Sequence, residues 1–294
     1  MISDFLNRST PPDSNQRLNL FFASLMGLYF EILVVRWLAS EIRLFSFFKN
    51  LTMLAAFLGL GIGFALAKNR QDFLKLFSPF LILYVTVVLI IGNLLGKGLV
   101  VPESGEYLWR PSALPTTITT SLFILIIVLL FLYTLFIFVP LGQLTGRFMI
   151  GLSPLTAYKI NILGSLVGVW LFAAISYFEL SPWVWFFLGL IILLWIQHGS
   201  RISLILNTIS LFVISIALIF IYKETLWSPY YLVEISPLSI HGKKLSKLDE
   251  TGYNLLVNQI EHMTAVNLSL DYLVAHQEYD KSNLIRSFSG SLAK

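Results

Sequence analysis

The sequence predicts an all-α integral membrane bundle of about seven transmembrane helices with a small C-terminal β-rich stub, and three observations carry that reading. Of 294 residues, 56% are hydrophobic and 12% charged, with a mean hydropathy of +0.79. A soluble domain has about 25% charged residues, so this chain holds half the charge that a water-facing surface needs. Seven apolar runs reach the roughly 17 to 25 residues with which a helix crosses a hydrocarbon core of about 30 Å. The charges are also unevenly placed: residues 1–222 hold 13 Lys/Arg and 8 Asp/Glu, whereas the last 72 residues hold 7 and 8.

Three regions follow: a polar N-terminal tail (1–19), a transmembrane helical domain (20–222) and a soluble stub (223–294). The tail carries Asp4, Arg8, Pro11, Pro12, Asp13 and Arg17. It lacks the basic start and short apolar core of a secretory signal, so the first span is expected to enter the membrane itself. The predicted spans are Leu20–Leu38, Leu51–Ala67, Leu76–Gly96, Ser121–Leu141, Ile160–Phe178, Leu180–Ile196 and Ile202–Tyr222. Ser78-Pro79, Ser153-Pro154 and Ser181-Pro182 read as helix starts, because serine can cap free N–H groups and proline fits the first helical position. With only Glu179 to Pro182 between them, spans five and six are expected to form a tight antiparallel hairpin.

Lipid offers no hydrophobic drive between helices, so small residues four apart are expected to mark close backbone approach. Gly59/Gly63, Gly164/Gly168 and Ala23/Gly27 have that spacing, which predicts that spans one, two and five pack together. No internal or inverted repeat is evident. Eight Lys/Arg flank the spans on the N-terminal side and five on the other, a lean toward a cytoplasmic N-terminus that would put the stub outside. The positive excess belongs to the membrane region, which argues for topology and against a nucleic-acid partner; the expected partner is the lipid bilayer.

In the stub, Tyr230–Ser236 alternates as a strand, Ile240–Leu245 and Tyr253–Asn258 suggest two more, and Asp249–Gly252 is turn-rich. Asn267–Lys294 reads as a helical patch fading into a polar end. The chain has no cysteine, which excludes thiolate catalysis, disulfides and cysteine-bound clusters. His241, His262 and His276 lack metal-ligand spacing, and no GxSxG, P-loop or GxGxxG occurs in the stub. No catalytic, cofactor-binding or metal residue is assigned. Gly59-Leu-Gly61-Ile-Gly63 lies inside an apolar helix with no preceding strand and reads as a packing surface.

Glu31 stands mid-span in GLYFEILVVRW, where a carboxylate is costly enough to suggest function. Arg36 follows at about 140° around the helix, too far for an intrahelical salt bridge, and can snorkel to the interface. Glu31 must be protonated or meet a donor from another helix, with Tyr158, Lys159 and Asn161 as candidates. Two readings stand side by side: a polar contact fixing helix register, or a site handling a proton or substrate.

Five stretches in order, LYFEILVVRW (28–37), FLGLGIGFALA (57–67), AYKINILGSLVGVWL (157–171), SPYYLVEI (228–235) and NLLVNQIEHM (254–263), resemble the membrane-fused spermidine synthase-like proteins. The resemblance implies a multi-span module leading into the β-hairpin start of a synthase-like domain, in a bacterial cytoplasmic (inner) membrane. It implies that the stub faces the cytoplasm, against the charge count. The Rossmann-like sheet that binds decarboxylated S-adenosylmethionine in that family has no counterpart here, and Tyr231 stands where synthases carry a cofactor-holding Gln. The chain is therefore expected to be non-catalytic alone, with the catalytic part either cut off or a separate chain. Competing expectations are a small transporter or channel component using Glu31, and a purely structural membrane subunit.

Overall fold

The computed structural model describes residues 14–42, 45–46, 48–69, 71–92, 116–196, 201–223, 225–237, 239–240, 243–244, 252–258 and 260–266. Among these, seven helices run in order: α1 (Ser14–Glu41), α2 (Lys49–Ala65), α3 (Leu74–Ile91), α4 (Thr116–Met149), α5 (Pro154–Tyr177), α6 (Pro182–Ile196) and α7 (Arg201–Ile221). Five of them, α1, α3, α4, α5 and α7, contain stretches long and apolar enough to cross a membrane. At 1.5 Å per residue α4 is about 50 Å long and α6 only about 22 Å, so α4 reaches past the apolar layer and α6 falls short of it. Rings such as Trp170 and Phe220, 68% and 75% exposed, stand on the outside of the bundle.

Helix α1 is the spine, with Met26, Tyr29, Phe30, Leu33, Val34 and Trp37 buried at one continuous core. It packs most extensively on α5 and also touches α2, α3, α4 and α6. Gly164 and Gly168 of α5 lie against the Phe21 and Leu25 carbonyls of α1, the predicted contact between spans one and five. The other glycine pair departs from expectation. Gly59 and Gly63 of α2 face the backbone of α4 at Leu135 and Val139, while Gly142 of α4 faces the Leu60 carbonyl in return. Spans two and five are not partners; α2 meets α1 more lightly, with Gly27 near Leu60.

The hairpin predicted for spans five and six does not form. Their turn is as short as expected, with Glu179 at φ 58, but α5 packs on α1 while α6 packs on α1 and α7. Phe172 and Trp185 meet near the turn at 5.4 Å, and the helices part from there. Among the Ser-Pro steps, Ser153 is extended at φ −62, ψ 140 with Pro154 at the helix start, and Pro182 begins α6. None of the three serines caps through its side chain: Ser153 Oγ donates to Thr156 Oγ1 at 2.7 Å, and the Oγ atoms of Ser181 and Ser78 are buried without a partner among the described residues. Pro79 lies inside α3, which starts five residues earlier at Leu74, because Gln143 of α4 supplies the acceptor for the Phe73 N–H at 2.9 Å.

After α7 come β1 (Leu226–Trp227), β2 (Leu232–Pro237), β3 (Ser239–Ile240), β4 (Lys243–Lys244), β5 (Gly252–Val257) and β6 (Ile260–Val266). An antiparallel sheet runs in the order β1-β2-β5-β6, with β3 and β4 as a separate pair. The predicted strand 230–236 starts two residues late. Ser228 Oγ accepts from the N–H groups of Tyr230 and Tyr231, so Ser-Pro-Tyr-Tyr is the β1–β2 turn. The predicted strand 240–245 is instead split between the short strands β3 and β4, and β1 and β6 went unpredicted for want of alternation. The helical patch 267–294, the end of the third predicted span beyond Gly92, and His241 and His276 lie outside the described residues.

Candidate functional site

Where α1 ends, its last turns meet the β1–β2 turn, and most of the polar chemistry collects there. Arg36 stacks over Trp185 of α6, with its guanidinium carbon 4.5 Å from the ring centre, and stands 6.0 Å from Phe172 of α5. Its Nη2 donates to the Ser228 carbonyl at 2.6 Å. Arg36 therefore does not snorkel free as expected; the sheet meets it. Its Nε and Nη1 are buried without a hydrogen-bond partner among the described residues, as are the indole N–H groups of Trp185 and Trp227. Trp227 stacks edge-on with Trp185 and Tyr222, tying the first strand to the bundle.

One turn further along α1, Glu41 is 6% exposed. Tyr222, just past α7, donates its hydroxyl proton to Glu41 Oε1 and accepts from Trp37 Nε1 at 2.8 Å. The carboxylate, phenol and indole form a chain joining α1 to the end of α7. Sequence reasoning missed this group, since Glu41 falls beyond the predicted span end at Leu38 and Tyr222 is 181 residues away; the signal in the sequence was a carboxylate directly after a span.

Glu31 is buried at 4% exposure, and its Oε2 has no partner among the described residues. The proposed donors are elsewhere. Tyr158 is 63% exposed, Lys159 is exposed, and Asn161 Oδ1 lies 2.8 Å from Ser24 Oγ, two turns before Glu31. Asn161 thus makes the interhelical contact expected of a lone Asn, but to serine. The structure brings together neither Glu31 with Arg36 nor either of them with Tyr158 or Asn161.

At the opposite end, Gln143 is 1% exposed. Besides accepting from Phe73, its Nε2 donates to the carbonyls of Leu66 at 3.1 Å and Gln71 at 2.9 Å. Arg147 adds an ion pair to Asp72 at 3.0 Å, and together they pin the α2–α3 loop. Among the described residues no cluster of His, Asp and Glu could hold a metal. No family model, curated protein or solved structure matches the chain, so the likeness to the spermidine synthase-like proteins rests on the quoted stretches alone.

Proposed function

We propose that this chain is a seven-span, non-catalytic module of a bacterial cytoplasmic membrane that holds its sheet as a fixed platform for a separate, spermidine synthase-like catalytic chain. The observation that carries this reading is a two-sided sheet. On one side Leu232 is fully buried against the bundle. On the other, Ile235, Tyr253 and Met263 are 50%, 42% and 52% exposed, and the register aligns Ile235 with Leu255 and Leu255 with Met263. An uncovered apolar sheet face fixed at the membrane surface suits a protein partner. Ser176 of α5, which donates to the Pro229 carbonyl at 2.9 Å, adds a second tie beside Arg36.

The N-terminal end of α1 and the sheet lie at opposite ends of the bundle, which supports an odd number of crossings; with five helices long enough to span, seven requires the bilayer to thin around the short α6. Since the chain has no native cysteine, spin labels at Tyr177→Cys and His262→Cys can report the distance from bundle to sheet. A single narrow distance distribution is expected, and a broad one overturns the fixed platform. Aminopropyl transfer from decarboxylated S-adenosylmethionine to putrescine by the purified chain would overturn the non-catalytic reading.

The second reading, proton handling at Glu31, draws on its unpartnered Oε2. It is tested by proton flux in liposomes, where Glu31→Gln would abolish any flux because an amide does not titrate.

A further inference from the structure

A cavity of about 230 Å³ opens between the last turns of α1 and the β1–β2 turn. Ile32, Val35 and Leu232 give it apolar walls, while Arg36, Lys49 and Trp227 also line it. The buried hydrogen-bonding groups on its lining residues Arg36 and Trp227 that lack a partner among the described residues share one polarity: Arg36 Nε, Arg36 Nη1 and Trp227 Nε1 are all donors. A cation that among the described residues meets a neutral carbonyl and two aromatic rings is uncompensated by them in a poorly hydrated place, which is costly unless an acceptor with negative charge joins it.

We propose that this cavity binds a small organic carboxylate. Its charge would answer Arg36 and Lys49, the two cations that line the cavity. The same lining repels an amine, so the ligand is not a polyamine. The volume lies below the roughly 300 Å³ at which pockets for larger ligands begin, which excludes an adenosyl compound. Walls of Ile, Val and Leu favour a carboxylate with a short hydrocarbon body over a fully hydrated inorganic phosphate. This inference does not depend on a partner chain, since it concerns the junction side of the sheet and not its open face.

The test is titration calorimetry of the full chain in nanodiscs with hexanoate, hexanamide, inorganic phosphate and spermidine as separate probes. Saturable binding of hexanoate is expected, with no saturable heat from the other three. Arg36→Gln should weaken hexanoate at least tenfold. Because that change also removes the tie to Ser228, Ala39→Leu is the second variant: it fills the cavity from α1, leaves Arg36 in place, and should weaken hexanoate equally. Equal binding of hexanamide, tighter binding of phosphate or spermidine, or undiminished hexanoate binding by Ala39→Leu would each overturn the assignment.

Discussion

Gly63→Ala tests the close approach of α2 to α4, and Gly61→Ala, two residues earlier and turned away from that seam, is its internal control. A methyl at Gly63 would stand 2.6 Å from Gln143 N and 2.7 Å from Gly142 Cα, with the Val139 carbonyl oxygen nearer still. Carbon atoms of neighbouring groups normally lie about 3.5–4.0 Å apart, so the overlap is about 1 Å against backbone that cannot rotate aside. Helices α2 and α4 must separate. Overpacking of this kind costs about 1–3 kcal/mol, and parting the seam also breaks weak Cα–H···O bonds of about 0.5–1 kcal/mol each. The helix preference for Ala over Gly returns up to about 1 kcal/mol, leaving a net destabilisation of about 2 kcal/mol. At Gly61 nothing lies within 4 Å, so the same substitution keeps only the helix-propensity benefit. The two variants should therefore move in opposite directions and differ by about 3 kcal/mol. Unfolding by sodium dodecyl sulfate in mixed micelles, followed through the seven tryptophans, measures both. A Gly63→Ala variant as stable as Gly61→Ala would refute the α2–α4 seam.

Three further outcomes follow from buried polar groups. Glu31→Leu should melt at or above the parent temperature in detergent, because it replaces a buried oxygen lacking a donor with an apolar group of similar size; a destabilisation above about 1 kcal/mol would mean that Glu31 has a partner worth an ordinary hydrogen bond. Tyr222→Phe should cost about 2–3 kcal/mol, since it strands both Trp37 Nε1 and Glu41 Oε1 in a buried place, and an unchanged melt would refute the hydrogen-bonded chain. Gln143→Leu should speed amide hydrogen exchange at Phe73 by at least about tenfold, the factor that about 1.4 kcal/mol of diminished protection implies, and unchanged exchange would refute the pin.

Helix existence was legible because hydrophobic run length is a local property: all seven predicted runs overlap a helix among the described residues. Helix ends were less so. Ser78-Pro79 has the local chemistry of a start, yet the Phe73 N–H finds its acceptor in Gln143, 70 residues away, and α3 begins earlier than its own sequence suggests. The glycine pairs show the same division. Spacing announced that Gly59/Gly63 and Gly164/Gly168 would be packing seams, but a glycine stripe is equally smooth toward any neighbour. Only the partner's matching small residue, Gly142 on α4, decides which helix comes close.

The candidate site was the least legible part, and the reason lies in how α1 is used. Glu31 drew attention because a charge in mid-span is conspicuous, whereas Arg36 and Glu41 looked like ordinary interfacial residues. In the fold their roles reverse. Glu31 has no partner for Oε2 among the described residues, while Arg36 and Glu41 gather Ser228 and Tyr222 from about 180 to 190 residues further along. Both partners belong to the segment that runs from the end of α7 through β1 into the β1–β2 turn, so the end of α1 is completed only when the last helix has returned to that face of the bundle. A polar group that depends on so late a segment has no local sequence signature. The same dependence explains why the donors of Arg36 and Trp227 have no acceptor among the described residues: each comes from a different part of the chain, and what the two parts enclose between them is a cavity of apolar walls that Arg36 and Lys49 also line.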